Sequence, residues 1–283
     1  MIARAVAILA FAGILSAQPP QRPAFEVATV KLSPNCTGSG GPNPSAGRID
    51  IKCSSLRDLI RGAYGIFAGD KIASRMLEVV GGPSWLDSDR FDVSAKAEGA
   101  AGLQKMIGAM LQTLLEERFQ LKVHVEPRDT PVYSLTVAKG TPKLTPTKEG
   151  SCVPLDLNNL PKPGDPPQPL CGIPRMSFKN GAVSGDILGT TMEELAGRFL
   201  ASQVGRPVID KTGLTGRFDI HLEFVREMPA GMMLNGNSMP PPPNDSGAPS
   251  IFTAVAQLGL KLSADKAPID VIVVDSAQKP SEN

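Results

Sequence analysis

Aromatic residues are scarce in this 283-residue chain, at 5%, and histidine occurs only twice. Proline and glycine are abundant by contrast, at 27 and 28 residues, which points to long loops between compact elements. No charge of one sign dominates: the formal net charge is +1, without the basic stripe that a nucleic-acid binder carries. Beyond the first residues no apolar run approaches the roughly 20 residues that a membrane-spanning helix needs. Catalytic signatures are missing as well. There is no HExxH for a zinc peptidase and no GxSxG elbow for a serine hydrolase. Gly81-Gly82-Pro83 and Gly213-Leu214-Thr215-Gly216 lack the Lys-Ser/Thr of a phosphate cradle and read as turns requiring positive φ.

What is present begins with an address. Met1 to Arg4 is a positive start, Ala5 to Leu15 is apolar, and Ser16-Ala17-Gln18 offers a small-residue exit before Pro19 and Pro20. That order predicts a signal peptide over 1–17, cleaved after Ala17, and hence a periplasmic or extracellular location. The four cysteines fit such a compartment. Of the three possible pairings, Cys36 with Cys53 and Cys152 with Cys171 are expected. Each closes a short loop, worth about 3 kcal/mol in the chain-entropy model. Zinc is the alternative, but there is no CxxC and neither histidine stands near a pair.

Periodicity supplies the elements. Strands are expected at Phe25–Val30, Gly47–Ile51, Leu77–Val80 and Phe91–Ala95. Ser54 or Ser55 caps a helix carrying Leu56, Leu59, Ile60, Ala63 and Tyr64. Leu103, Met106, Ile107, Met110, Leu111, Leu114 and Leu115 stripe a longer helix over about 102–118. Phe119–Val125 then alternates, Pro127 to Pro131 reads as a turn, and Val132–Ala138 as the returning strand of a hairpin. From 139 to 175 apolar periodicity vanishes, giving a Pro/Gly-rich linker holding the second cysteine pair. Further on come a helix at Met192–Leu200 capped by Thr190 or Thr191, a short strand Val208–Asp210, and a clean strand over Arg217–Phe224. A Pro/Gly/Met-rich stretch over 228–249 precedes a helix from Ser250, and Leu260–Leu262 with Ile269–Val274 reads as a last hairpin.

The two halves repeat one order. Arg90-Phe91-Asp92-Val93, Leu121-Lys122-Val123 and Pro131 are answered by Arg217-Phe218-Asp219-Ile220, Leu260-Lys261-Leu262 and Pro268. The expected fold is therefore α+β: two tandem related strand–helix–strand–helix–hairpin units, over 18–138 and 176–283, with helices packed on mainly antiparallel sheets.

Several blocks also carry a resemblance. Phe25-Glu26-Val27-Ala28-Thr29-Val30-Lys31, Leu56-Arg57-Asp58-Leu59-Ile60, Gly81-Gly82-Pro83-Ser84-Trp85-Leu86, Arg118-Phe119-Gln120-Leu121-Lys122 and Val208 to Gly216 resemble a soil-associated bacterial family of exported proteins of unknown function. That resemblance implies secretion and supplies no catalytic residues. A local one, over Thr191–Ala196, Val204–Asp210 and Phe218–Leu222, is similar to the short N-terminal domain of secretins and TonB-dependent receptors, which implies protein–protein contact in the envelope.

Candidate chemistry is thin. His124 and His221 lie between inward residues of two strands and so face solvent. Trp85 reads as a core anchor, with a ligand platform beside an apolar pocket as the alternative. Met228, Met232, Met233 and Met239 offer soft ligands for Cu(I) at irregular spacing. The expected role is a non-catalytic module that binds another envelope or secreted protein, with no cofactor and no nucleic acid. Alternatives are a secreted enzyme or enzyme inhibitor, marked by a pocket gathering either histidine with two carboxylates, or a binder of small metabolites.

Overall fold

The computed structural model describes residues 22–36, 42–45, 47–69, 73, 77–99, 101–158, 168–179, 181–225, 233–234, 237–238 and 247–281. The expected signal peptide and most of the methionine-rich stretch lie outside them.

The first half opens with β1 (Val27–Leu32), β2 (Asn43–Ser45) and β3 (Arg48–Ser55). Next is α1 (Leu56–Ile60), which runs on as a π-helical segment over Arg61–Ile66. β4 (Glu78–Gly81), α2 (Trp85–Ser88) and β5 (Arg90–Lys96) follow. The long helix is α3 (Leu103–Lys105), a π-helical segment over Met106–Met110, and α4 (Leu111–Phe119). Gly108 breaks its regularity with a non-helical backbone (φ −95°, ψ −106°), and only glycine fits there, since a Cβ would meet the Phe67 carbonyl oxygen at 2.2 Å. β6 (Lys122–Val137) completes the half.

In the second half, β7 (Thr145–Pro146), β8 (Pro174–Lys179) and β9 (Ala182–Thr190) come first. α5 (Met192–Glu194) continues as a π-helical segment over Leu195–Leu200 and ends as α6 (Ala201–Val204). β10 (Val208–Asp210), β11 (Phe218–Val225), β12 (Met233–Leu234), β13 (Asn237–Ser238), α7 (Ile251–Gln257) and β14 (Leu260–Ser276) complete the described chain. The fold is α+β, with mostly antiparallel sheets.

Two outer sheets share one plan. The order β1-β5-β3-β2 in the first is matched by β7-β11-β9-β8 in the second. Ile51 pairs with Val93 and Ser54 with Phe91; likewise Ile187 pairs with Ile220 and Thr190 with Phe218. Each pair of strands therefore holds one extra residue at the same place, a β-bulge. The extra positions include Cys53 and Gly189, both left-handed at φ 54° and 60°. Asp92 accepts the Cys53 N–H at 2.9 Å, and Asp219 accepts the Gly189 N–H at 3.0 Å. The two Arg-Phe-Asp segments thus do the same physical work in both halves. Asp closes the bulge, and Arg90 or Arg217 reaches the acid in the first turn of the next helix.

The two hairpins expected at 119–138 and 260–274 do not form. Each is one unbroken strand, and β6 and β14 pair antiparallel along their lengths, from Leu260 with Val137 to Val274 with Val123. The prolines were misleading for a geometric reason. The Tyr133 N–H points away from β14, to the Pro207 carbonyl. Pro127 and Pro131 share its odd parity, and Pro268 lies opposite Asp129, so all three occupy positions whose missing N–H the ladder does not use.

The ribbon also crosses the halves. β4 adds to β14 in parallel, and β10 adds to β6 in parallel, giving the central order β10-β6-β14-β4. Ile272 and Val274 of the last strand lie in the first core with Leu56, Phe91 and Phe119. Leu135 of β6 lies in the second with Met192, Ile220 and Leu260. The halves are interlocked rather than strung in tandem.

Cys36 is bonded to Cys53, and Cys152 to Cys171. The stretch expected as a linker contributes β7 and a bridge between Val153 and Leu170, and its Leu157 packs against the first core.

Candidate functional site

The helix Met192–Val204 is fixed at its start by its own sequence. Thr191 accepts the Glu194 N–H at 3.1 Å, and the Glu194 carboxylate accepts the Thr191 N–H at 3.1 Å, a reciprocal capping box. Arg217 enters from β11's leading turn, donating to the Gly189 carbonyl at 2.5 Å and to Glu194 at 3.3 Å. Arg198, one turn along the helix, stands 3.3 Å from the other Glu194 oxygen.

These side chains line two adjoining chambers. One, of about 320 Å³, is walled by Arg217, Asp156, Leu157 and Gln104, the last contributed by the first half's long helix. The other, of about 290 Å³, is walled by Met176, Ile187, Phe199, Ser202 and Gln203. Ile173, Glu194 and Arg198 border both, so together the chambers form a groove, polar at one end and apolar at the other. Each has the volume of a small-molecule or side-chain site. The Cys152–Cys171 bond braces the polar end: Cys171 lines it, and a side chain at Gly189 would meet Cys152 Sγ at 2.4 Å. Two arginines facing one glutamate can orient a polar or anionic group, while Met176 and Phe199 receive an apolar one.

The histidines lie elsewhere. His124 Nδ1 is 3.0 Å from both Asp275 oxygens and Nε2 is 3.3 Å from Glu126, which Arg128 also holds at 2.6 Å. The histidine has gathered two carboxylates, but on the open face of the ribbon, with its side chain 48% exposed. Hydrogen bonds to Asp275, then Glu126, raise its pKa above the ordinary 6.5. Its charged form therefore contributes stability that is fully present below pH 6.5 and fades as pH rises through the raised value. An NMR titration should place the His124 midpoint above 6.5, and Asp275→Asn should lower it; an unmoved midpoint would contradict the pairing. His221 pairs with Asp186, at 2.7 Å, and is exposed.

Trp85 is a core anchor. Its ring stacks near Phe119 at 6.4 Å and meets Phe91 edge-on at 6.3 Å, while Lys279 stands over the outer face. Among the described residues no group of three or more His, Cys, Asp and Glu is arranged to hold a metal, and no helix is long and apolar enough to cross a membrane. Of the methionines considered for copper, only the backbone of Met233 lies among them.

Sequence reasoning had Arg217 in hand as part of a repeated motif and gave it only an architectural meaning. Arg198 carried no signal, because a charged residue four positions after a glutamate is ordinary helix chemistry. No curated protein and no solved structure matches the chain. A family match covers residues 57–277, from the first helix to just past the end of the ribbon, and so takes in both interlocked halves. The chain belongs to the family described as Protein of unknown function (DUF3738).

Proposed function

We propose that this protein is an exported, non-catalytic interaction module whose binding surface is the groove along Met192–Val204. The observation that carries the reading is the groove's construction: a two-chamber channel with a polar and an apolar end, braced by the capping box and a disulfide. Rigid supports of this kind lower the entropy lost on binding. Export is supported by the basic start and apolar run of the N-terminus and by the two disulfides. The partner is proposed to be another envelope or secreted protein. The resemblance to the secretin and TonB-receptor domain supports this, since its segments Thr191–Ala196 and Val204–Asp210 belong to or directly follow the helix that walls the groove. The matched bulges, caps and sheet orders support descent of both halves from one duplicated unit.

The test is capture from envelope extracts by the intact protein and by Ser202→Trp. Ser202 is exposed on the helix and borders the apolar chamber, so an indole there fills the groove without entering the core. A partner held by the native protein and lost by the variant is the expected result. An identical catch by both, or no specific catch at all, would count against the proposal.

The enzyme reading draws on one observation, the His124–Asp275–Glu126 cluster. That cluster faces water on the ribbon, where a substrate gains little from desolvation, and none of its three residues lines the groove.

A further inference from the structure

We infer that the partner docks as an added strand, which rests on the groove being the binding surface. An extended segment of its chain pairs antiparallel with the open edge of β8, carrying apolar side chains at every second position and acidic ones between. β8 is the outermost strand of its sheet among the described residues, and its Pro174 and Met176 also wall the groove's apolar chamber. Strand parity shows what the edge offers. The Val225 N–H leaves β9 for the Pro249 carbonyl, so Phe224 is the residue bonded to Val183, and by alternation Ser184 and Asp186 are bonded to β8. Their partners Ser177 and Arg175 spend their backbone groups on β9. Met176 and Phe178 therefore turn theirs outward, where a further strand can pair with them.

The side chains of β8 select that segment. Met176 lies on the face toward the groove helix: a side chain on Gly185, opposite it, would meet both the Met176 sulfur at 3.1 Å and Phe199 at 3.3 Å. Phe178, two residues on, shares that face and is 68% exposed, the most exposed large apolar side chain among the described residues. A strand laid beside them sets its own apolar residues on Phe178 and, next to Met176, into the chamber walled by Ile187, Phe199 and Ser202. Arg175 and Lys179 lie on the opposite face. Neither makes an ion pair among the described residues, and Asp186, across from Arg175, is held by His221 at 2.7 Å. An added strand meets these two cations with residues four apart, where acidic side chains complement them. A second copy fits less well, since pairing β8 with β8, Met176 opposite Phe178, would set Arg175 against Lys179. Cations on an edge deter indiscriminate pairing, whereas the exposed phenylalanine beside them favours a chosen partner.

The probe is the peptide acetyl-Thr-Glu-Val-Thr-Val-Glu-Thr-amide, titrated into the intact protein and followed by amide shifts. Its valines fall opposite Met176 and Phe178, and its glutamates opposite Arg175 and Lys179. The expected result is saturable binding, with shifts confined to β8, β9 and the groove helix. N-methylation of both valines should abolish it, because those amides make the ladder bonds. Replacing both glutamates by lysine should weaken binding by about tenfold, and Arg175→Glu with Lys179→Glu should reverse that preference. Phe178→Ala should weaken binding by about fivefold at an unchanged urea midpoint, so that lost affinity is not lost folding. Ser202→Trp should weaken it as well, by filling the chamber. Absence of saturable binding, equal binding of the N-methylated peptide, or equal binding of the lysine peptide would overturn the inference. If capture of a partner is still lost with Ser202→Trp in that event, the groove stands as the binding surface and only the mode of docking is wrong.

Discussion

Deleting residues 260–283 is expected to unfold both halves of the protein. The last strand supplies Leu260 and Leu262 to the second core and Ile272 and Val274 to the first. It is also the ladder partner of β6 from Val137 to Lys122 and, among the described residues, the only strand beside β4. Removing it exposes the apolar faces of both cores at once and leaves a sixteen-residue strand with one short parallel neighbour. By the same reasoning, residues 18–138 alone should lack a cooperative transition, because Ile272 and Val274 of their core and the partner of β4 lie outside the fragment. Circular dichroism with urea unfolding of both truncations checks this. A fragment that unfolds cooperatively with native near-ultraviolet signal would show the halves to be separable.

The largest effect of a single substitution is expected at Phe91. Its ring is 1% exposed and meets Phe119 edge-on at 5.0 Å and Trp85 at 6.3 Å, so truncation leaves a cavity that the neighbouring rigid rings and the sheet cannot close. Phe91→Ala should cost about 3–5 kcal/mol. Its counterpart Phe218 is only partly buried and should cost less, although it sits in the same Arg-Phe-Asp setting. Phe178, 68% exposed at the end of edge strand β8, should change stability by no more than about 0.5 kcal/mol. Urea midpoints of the three variants give the order directly. A Phe91 variant no weaker than the Phe178 variant would contradict the packing.

Local features were legible because they depend on neighbours in the chain. Ser55, Thr191 and Ser250 cap helices as their side chains and positions require, and Phe218 to Phe224 alternates as a half-buried strand should. The cysteine pairs follow from their short separations in the chain. The ribbon was not legible. Pairing of His124 with Val273 joins residues far apart in sequence, and nothing local marks it. Worse, Pro127, Pro131 and Pro268 look like turn residues until strand parity shows that their nitrogens face away from the ladder. The repeated Arg-Phe-Asp could be seen but not interpreted, since its meaning lies in a bulge formed by a different strand. The groove was least visible of all: its walls come from β8, β9, the 152–158 loop and two helices, and only folding brings Arg198 beside Met176.

The proposal that the groove is the binding surface is tested most directly by the Ser202→Trp comparison, run beside His221→Trp. His221 is also exposed and belongs to the same outer sheet, but it points away from the core that the groove helix covers. All three proteins should melt alike. The expected result is a specific partner retained by the native chain and by the His221 variant and lost from the Ser202 variant. Retention by the Ser202 variant, or equal loss from both, would place the interaction elsewhere and contradict the proposed binding surface.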